Sequence, residues 1–461
     1  MTLATKTYSD YEYLLQLYTA RKQRAESPIP TIPILYRTER TRRAASPAHI
    51  WLALGSLTLI GGRYHQLSRT KRRCRSLALR PARGHVRPPA APWRLARRPW
   101  VLTDSKCHIG DRDNATTAHA VTSQKSDIKV TFELANPPGV SGCFVYCPGL
   151  VERHYRGDPL VLSSADAFIL LVIPFTSSST RKECNDFFVY KAGPGAPSLC
   201  LLPDNVTLAG VVPLGGADLN NKGYAVVFPR YTNDHIDKKY KYILQVYRSD
   251  VSYCPWRKEV ASIAIDTKHH NHEVIMRDEG TRVIFAGRET LGWVNHWHGI
   301  LLCNVLDHYP VMPFIQWPVP ISCDLMSRFG MGVDNIYARP FRDVVISNGV
   351  IRFIELKSCR CSHTHNEKGV IGQGWTVTTW NRGICSKKWH KSFTLKADNV
   401  PLTGLSYPKV SGDKRLSWDN VVHGGPTLSL CDDDIVYIMA RLDIRHRVAW
   451  MLAINIREGT L

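Results

Sequence analysis

The chain has 461 residues, of which 44% are hydrophobic, so it is long and apolar enough to bury a substantial core. Its net charge of +21 is concentrated in residues 1–100, which hold 20 Lys and Arg against 4 Asp and Glu, whereas residues 101–461 hold 40 against 35. The balance excludes a uniformly basic protein and indicates a basic N-terminal segment ahead of an ordinary, mildly basic domain.

Residues 1–98 are predicted to form a largely disordered segment rich in Arg and Pro. Within it, residues 8–24 have apolar positions at helical spacing, which favours a short amphipathic helix. Residues 50–60 are apolar for only 11 residues, too few for a membrane span, which needs roughly 20. The first 20 residues lack the apolar core of a secretory signal. We therefore expect no membrane insertion and no secretion.

The cysteines indicate the compartment. There are 13, an odd number, and they are scattered without the spacing of a small disulfide framework. Such usage favours free thiols in a reducing environment. The sequence therefore predicts an intracellular protein, in the cytoplasm or the nucleus.

From about residue 99 the chain becomes a series of short apolar runs separated by turn residues, which predicts β-strands. The predicted strands are residues 100–104, 128–134, 144–147, 167–173, 187–192, 198–202, 224–228, 242–247, 282–285, 341–346, 350–355, 375–380, 435–439 and 449–455. Helical periodicity is nearly absent after residue 100, which argues against a βαβ architecture.

A buried hairpin is predicted near the middle of this series. Residues 291–294 and 299–306 are apolar and rich in Val, Ile, Leu and Trp, and the polar and aromatic residues 295–298 lie between them. If side chains alternate along the hairpin, Trp293 and Trp297 lie on the same face and pack against a neighbouring sheet.

Similar strand, turn and strand units lie on both sides of the hairpin. The apolar centres at Val226, Val283 and Val344 are 57 and 61 residues apart, near the period of about 40–50 residues of propeller blades. We predict an all-β domain over residues 99–461, a β-propeller-like ring of small antiparallel sheets with about six blades. The last strand, residues 449–455, is expected to pair near residues 100–134 and so to close the ring. A pair of β-sandwiches is the alternative.

A series of short motifs resembles the plant family called domain of unknown function 1618, which is expanded in grasses. The matching residues are Trp100-Val-Leu-Thr-Asp104, Asp111-Arg-Asp-Asn-Ala-Thr-Thr117, Pro137-Pro-Gly-Val140, Asp186-Phe-Phe-Val-Tyr190, Ala192-Gly-Pro-Gly195, Leu291-Gly-Trp-Val294, Gly299-Ile-Leu-Leu-Cys303, Phe341-Arg-Asp-Val344, residues 375–380, Asp432-Asp-Asp-Ile-Val-Tyr437 and Ala449-Trp450. The resemblance covers about residues 98–461, and residues 1–98 depart from the family's usual opening. It implies a propeller-like protein similar to F-box-associated plant proteins, without an established biochemical activity.

One cluster has the right donor types for zinc. Cys359, Cys361, His363 and His365 bring two thiolates and two imidazoles together, but structural zinc ligands usually come as separated pairs. A surface loop is the alternative interpretation, so this set is a weak metal candidate. No cofactor is predicted.

Two histidine groups and one acidic group have structural interpretations. Residues 268–272 are interpreted as a solvated turn, and His296 and His298 as part of the hairpin, because no nucleophile or orienting acid can be placed beside them. Residues 432–434, Asp-Asp-Asp, lack a calcium-binding loop and are predicted to form a charged turn.

The sequence contains no nucleophile elbow, P-loop, dinucleotide-binding motif or zinc-protease motif. The leading hypothesis is a non-enzymatic scaffold whose loops, residues 193–197, 232–241, 359–374 and 399–413, form one recognition face for an unidentified protein partner. One alternative is an enzyme with an axial pocket. Another is nucleic-acid binding through the basic N-terminal segment, residues 37–98, which includes a candidate nuclear-localisation element.

Overall fold

The computed structural model describes residues 57–59, 100–176, 183–193, 195–203, 206, 208–215, 223–233, 240–251, 255–262, 281–320, 341–358, 374–402, 418, 421–441 and 449–461. Regular structure in these residues is β, apart from single-turn 3-10 helices at Glu152–His154 and Ala397–Asn399. The all-β prediction is confirmed.

The strands follow one another as six small sheets, here called blades 1 to 6, preceded by a two-stranded ladder. The ladder contains β1 (Leu57–Leu59) and β2 (Leu102–Asp104). Blade 1 contains β3 (His108–Ile109), β4 (Ala118–Val121), β5 (Asp127–Glu133) and β6 (Gly142–Tyr146). Blade 2 contains β7 (Leu160–Ala165), β8 (Phe168–Thr176), β9 (Glu183–Lys191) and β10 (Ser198–Leu201).

Blades 3 to 5 have four strands each, and three strands of blade 6 are described. Blade 3 contains β11 (Gly210–Pro213), β12 (Tyr224–Asn233), β13 (Tyr240–Arg248) and β14 (Trp256–Ser262). Blade 4 contains β15 (Arg282–Gly287), β16 (Thr290–Asn295), β17 (Gly299–Asn304) and β18 (Phe314–Gln316). Blade 5 contains β19 (Arg342–Ser347), β20 (Val350–Ser358), β21 (Trp375–Gly383) and β22 (His390–Lys396). Blade 6 contains β23 (Val422–Leu428), β24 (Ile435–Arg441) and β25 (Trp450–Asn455).

Within blades 2 to 6 each strand pairs with the next strand along the chain, so these sheets are built from consecutive antiparallel hairpins. Blade 1 differs, because β3 pairs in parallel with β6. The first strands of blades 2 to 6 contact one another in order, β7 with β11, then β15, β19 and β23. The first strand of each of these blades therefore lies innermost in a propeller-like arrangement.

Residues 100–107 connect the two ends of this series. The Trp100 ring lies 6.0 Å from the Tyr437 ring of blade 6, measured between centroids. On the other side, the Cys107 amide donates to Pro159 O at 2.7 Å, and the Val161 amide of blade 2 donates to Ser105 O at 2.6 Å. The last strand hydrogen-bonds to β24, and it meets Trp100 and Leu102 through a shared apolar core. Within the described residues the last strand does not pair with residues 100–134 as predicted; the two regions meet through side-chain packing.

The central hairpin is confirmed as β16 and β17, and both tryptophans are buried. Trp293 joins the core shared with blades 2 and 3, whereas the Trp297 ring lies 5.2 Å from the guanidinium carbon of Arg342 in blade 5. The prediction that they share a face is wrong. Strand β16 ends at Asn295, and the turn that follows breaks the side-chain alternation.

Of the predicted disordered segment, the structure describes only β1, which pairs with β2 in an antiparallel register. The helix predicted over residues 8–24 lies outside the described residues. No helix in the described part of the chain is long and apolar enough to cross a membrane.

Candidate functional site

One end of the ring is defined by a hydrogen bond that five blades repeat. The residue that follows the third strand donates its amide to a carbonyl at the turn between the first and second strands. These pairs are Ala192 to Ala167 at 2.8 Å, Ser249 to Tyr224 at 2.9 Å, Val305 to Glu289 at 2.9 Å, Ile384 to Gly349 at 2.9 Å and Ile456 to Asp434 at 2.7 Å. We call this end of the ring the hairpin face.

Tight turns form part of the hairpin face. Asn348 and Gly349 have φ values of 51° and 74°, as a two-residue turn between strands with right-handed twist requires, and Asn-Gly is a typical sequence for such a turn. Asp166 and Arg288 occupy equivalent turns at φ of 50°, without a sequence signal as strong. The turns hold the hairpin face at a fixed height above the blades.

The hairpin face carries exposed apolar side chains on neighbouring blades. Tyr309, in the loop between β17 and β18, is 90% exposed, and Val311 in the same loop is 50% exposed. Val251, at the corresponding turn of blade 3, is 38% exposed. Because both turns connect a third strand to a fourth strand, these side chains lie at the same end of the ring. Tyrosine is enriched among the residues that dominate binding energy at protein interfaces.

The four predicted recognition loops do not share one face. Residues 193–197 connect β9 to β10 and lie at the hairpin face. The strand ends that flank residues 234–239 and 359–373 join second strands to third strands, so they lie at the opposite end of the ring. The same holds for residues 399–402, which leave the fourth strand of blade 5. Antiparallel alternation along each blade is the reason for this correction.

Buried charged side chains lie between the blades rather than on the faces. Arg342 is fully buried, and its guanidinium bonds Glu355 Oε1 through Nε at 3.1 Å and Nη2 at 2.6 Å. The same guanidinium donates to the carbonyl of Trp297, in the turn between β16 and β17 of blade 4, at 3.2 Å and to that of Pro320, after β18, at 2.9 Å. Burial lowers the pKa of Arg342, and the Glu355 carboxylate acts in the opposite direction. This cation therefore joins blade 5 to the chain of blade 4.

A second buried pair joins three blades at their innermost strands. Arg282 Nη1 of blade 4 lies 3.5 Å from Asp343 Oδ1 of blade 5, and Asp343 Oδ2 accepts the Leu428 amide of blade 6 at 3.1 Å. Further out, Arg352 Nη1 lies 2.9 Å from Asp433, and Nη2 donates to the Ser429 carbonyl. The charged side chains of Arg282, Asp343 and Arg352 thus take part in contacts between blades.

Asp104 is the buried carboxyl with the clearest electrostatic signature. Its Oδ1 accepts the Lys106 amide at 3.0 Å, but loss of hydration on burial dominates and raises its pKa to about 8. A carboxyl whose pKa is higher in the folded state keeps its proton there while the unfolded chain loses it. Folding stability then falls as pH rises from about 4 to about 8.

We expect Asp104→Asn to reduce this pH dependence. Each pH unit of the window costs the wild type up to about 1.4 kcal/mol of the free energy of unfolding, and the amide variant loses this contribution. His423, whose pKa burial lowers to about 4, acts with the opposite sign below about pH 6.5. Urea unfolding between pH 6.5 and 8 therefore isolates Asp104. Equal slopes in both proteins would contradict the assignment.

The other sequence candidates have mixed outcomes. Cys359, Cys361, His363 and His365, and residues 268–272, lie outside the described residues. His296 is buried, and its carbonyl accepts Arg342 Nη1 at 3.4 Å. Residues 432–434 form the predicted charged turn, in which Asp434 pairs with Arg457 at 3.0 Å. Across the described part of the chain, no group of three or more potential metal ligands is found.

Residues 293–437, from β16 to β24, match a family model described as protein of unknown function (DUF1618). The resemblance found in the motifs is confirmed over this region. No curated protein matches the chain.

Proposed function

We propose that this chain, which carries a region of the DUF1618 family, is a protein-interaction scaffold without catalytic activity, and that the hairpin face recognises its partner. The observation that carries the proposal is the pair Tyr309 and Val311, which leave apolar surface exposed on a loop between two paired strands. An aromatic anchor on a rigid support is the usual centre of a protein interface.

The buried charges support the same proposal. Arg342, Asp343 and Arg352 bond to groups on a neighbouring blade, so they stabilise the arrangement of the ring. A scaffold requires such rigidity, because a recognition surface that is already ordered loses little conformational entropy on binding.

An intracellular location and a likeness to F-box-associated plant proteins belong to the same proposal. The seven described cysteines are free thiols, and Cys107 and Cys143 lie in mutual contact in blade 1. Neighbouring thiols stay reduced in the cytoplasm and the nucleus.

We expect the double substitution Tyr309→Ser and Val311→Ser to abolish partner capture by the full-length protein. Removing an aromatic anchor costs about 2 kcal/mol or more of binding free energy, so recovery of specific partners falls at least about tenfold. Quantitative mass spectrometry of affinity captures at high salt measures this loss.

The control is Val121→Ser with Leu134→Ser in blade 1, two side chains that are 48% and 52% exposed. This variant should retain the partners. Recovery that survives the Tyr309 and Val311 changes would contradict the proposal. Captured nucleic acid that salt releases would instead favour the basic N-terminal segment as the binding element.

A further inference from the structure

The outermost strand of blade 5 has one open edge. Strand β22 pairs with β21 on one side and is the last strand in the order of its sheet. Among the described residues, no strand pairs with its other side. Such an edge presents backbone amides and carbonyls that can pair with another extended segment.

This edge has a strong positive charge. Lys387, Lys388, Lys391 and Lys396 are all exposed, and residues 381–397 contain no Asp or Glu. None of the four lysines forms an ion pair with a carboxylate of the described chain. Lysines also protect edges from unwanted pairing, so their spacing must decide whether the edge suits a specific partner.

A β-bulge arranges the charges on one face of the strand. Phe393 lies opposite Thr379 and Lys391 lies opposite Trp380, so the register shifts by one residue between them. Because paired residues share a face, Lys391, Thr394 and Lys396 lie on the same face of the sheet. Without the extra residue, Lys391 and Lys396 would point to opposite faces.

On the shared face, Thr394 and Lys396 lie beside threonines and Lys391 lies beside the buried Trp380, whereas the other face is apolar. Thr376 and Thr378 of β21 lie beside Lys396 and Thr394, and the Thr378 and Thr394 hydroxyl oxygens are 3.4 Å apart. On the other face, Phe393 and Leu395 pack into the core that blade 5 shares with blade 6. The result is a stripe of hydroxyl groups with a lysine near each end.

We propose that the open edge of β22 binds an extended acidic segment of a partner protein by strand addition. Lys391 and Lys396 lie opposite register positions four residues apart, about 13 Å along a strand. An added strand places residues i, i+2 and i+4 on one face, so carboxylates at i and i+4 meet the lysines while residue i+2 lies beside Thr394. This inference rests on the proposed function and names the chemistry of a partner.

The aromatic residues favour a peptide over a nucleic acid at this edge. Trp389 Nε1 donates to Gln316 O at 3.0 Å, and its ring lies between Trp317 and Arg382. The Phe393 ring is covered by Arg457 at 5.3 Å. Both rings are therefore engaged within the protein, whereas single-stranded nucleic acid is bound through free aromatic faces.

Fluorescence anisotropy with full-length protein tests the proposal. The probes are labelled decapeptides of one composition, four Glu and six Thr, with the Glu residues either alternating with Thr or gathered in one block of four, which contains no pair at i and i+4. We expect the alternating peptide to bind at least about tenfold more tightly, because only its carboxylates match the lysine spacing. N-methylation of alternate amides in that peptide should remove the binding by deleting ladder donors.

The matched variants reverse the same number of charges. Lys391→Glu with Lys396→Glu should weaken the alternating peptide at least about tenfold, and Lys387→Glu with Lys388→Glu, in the preceding turn, should weaken it much less. Circular dichroism confirms that both variants fold.

Equal affinity for the alternating, block and N-methylated peptides would overturn the proposal, as would tighter binding of a single-stranded oligonucleotide of equal charge. The Tyr309→Ser and Val311→Ser variant should bind the alternating peptide like the wild type. If that variant loses partner capture and the wild type does not bind the alternating peptide, only the edge site at β22 is refuted. If that variant retains partner capture and the wild type binds the alternating peptide at β22, only the role of the hairpin face is refuted.

Discussion

Replacing Arg342 with Met is expected to lower the free energy of unfolding by about 3–5 kcal/mol. The substitution leaves the buried Glu355 carboxylate without its main partner and removes the donor to the carbonyls of Trp297 and Pro320. Lys357, which lies 3.2 Å from Glu355 Oε2, is 60% exposed and compensates only weakly. Urea unfolding followed by circular dichroism measures the loss.

Two further variants of the protein are compared with Arg342→Met in the same experiment. In the double variant Arg342→Met with Glu355→Leu the buried charge is gone, so part of the stability should return, as replacement of a whole buried pair is often tolerated. Arg457→Met breaks a pair with Asp434 in which the arginine is 63% exposed, and it should cost far less than Arg342→Met. Equal effects of Arg342→Met and Arg457→Met would contradict a bridging role for Arg342.

Trp293→Ala is the second large change, with an expected loss of about 3–5 kcal/mol. The side chain is fully buried in the core of blades 2, 3 and 4, and its Nε1 donates to Leu208 O at 2.9 Å. Truncation creates a cavity and leaves a carbonyl without its donor. The same unfolding measurement in urea reports the loss.

Trp293→Phe helps to separate the two contributions, because it loses the hydrogen bond but keeps much of the volume. Its expected loss is about 1–3 kcal/mol. Tyr309→Ala, at a side chain that is 90% exposed, should change the free energy of unfolding by about 0.5 kcal/mol or less. A loss for Trp293→Ala no larger than that of Tyr309→Ala would show that the core does not depend on the indole.

Local features of the fold were predictable from the sequence, because local patterns produce them. Apolar runs on both sides of residues 295–298 predicted β16 and β17, and the runs at 341–346 and 350–355 predicted β19 and β20. About six blades followed from the approximate repeat. The same reasoning did not show that the turn after Asn295 interrupts the side-chain alternation, because such an interruption does not change the composition. Trp297 was therefore predicted on the wrong face.

The candidate site was less predictable, because its residues meet across long sequence separations. Asp343 bonds the Leu428 amide 85 residues further along the chain. Arg342 and Glu355 are closer, as direct cross-strand partners, and a register read from the turn at Asn348 would have paired them. Exposure of Tyr309 has no sequence signal at all.

The contacts of Trp100 and Leu102 with blade 6 have a consequence for biosynthesis. Trp100 leaves the ribosome long before Tyr437, so its final contact cannot form until blade 6 has been synthesised. Until then the nascent chain is an open arc in which Trp100 and Leu102 lack most of their buried neighbours. Contacts between such distant residues form slowly, so the arc is the stage at which a chaperone has apolar surface to hold and the protein is most prone to aggregate.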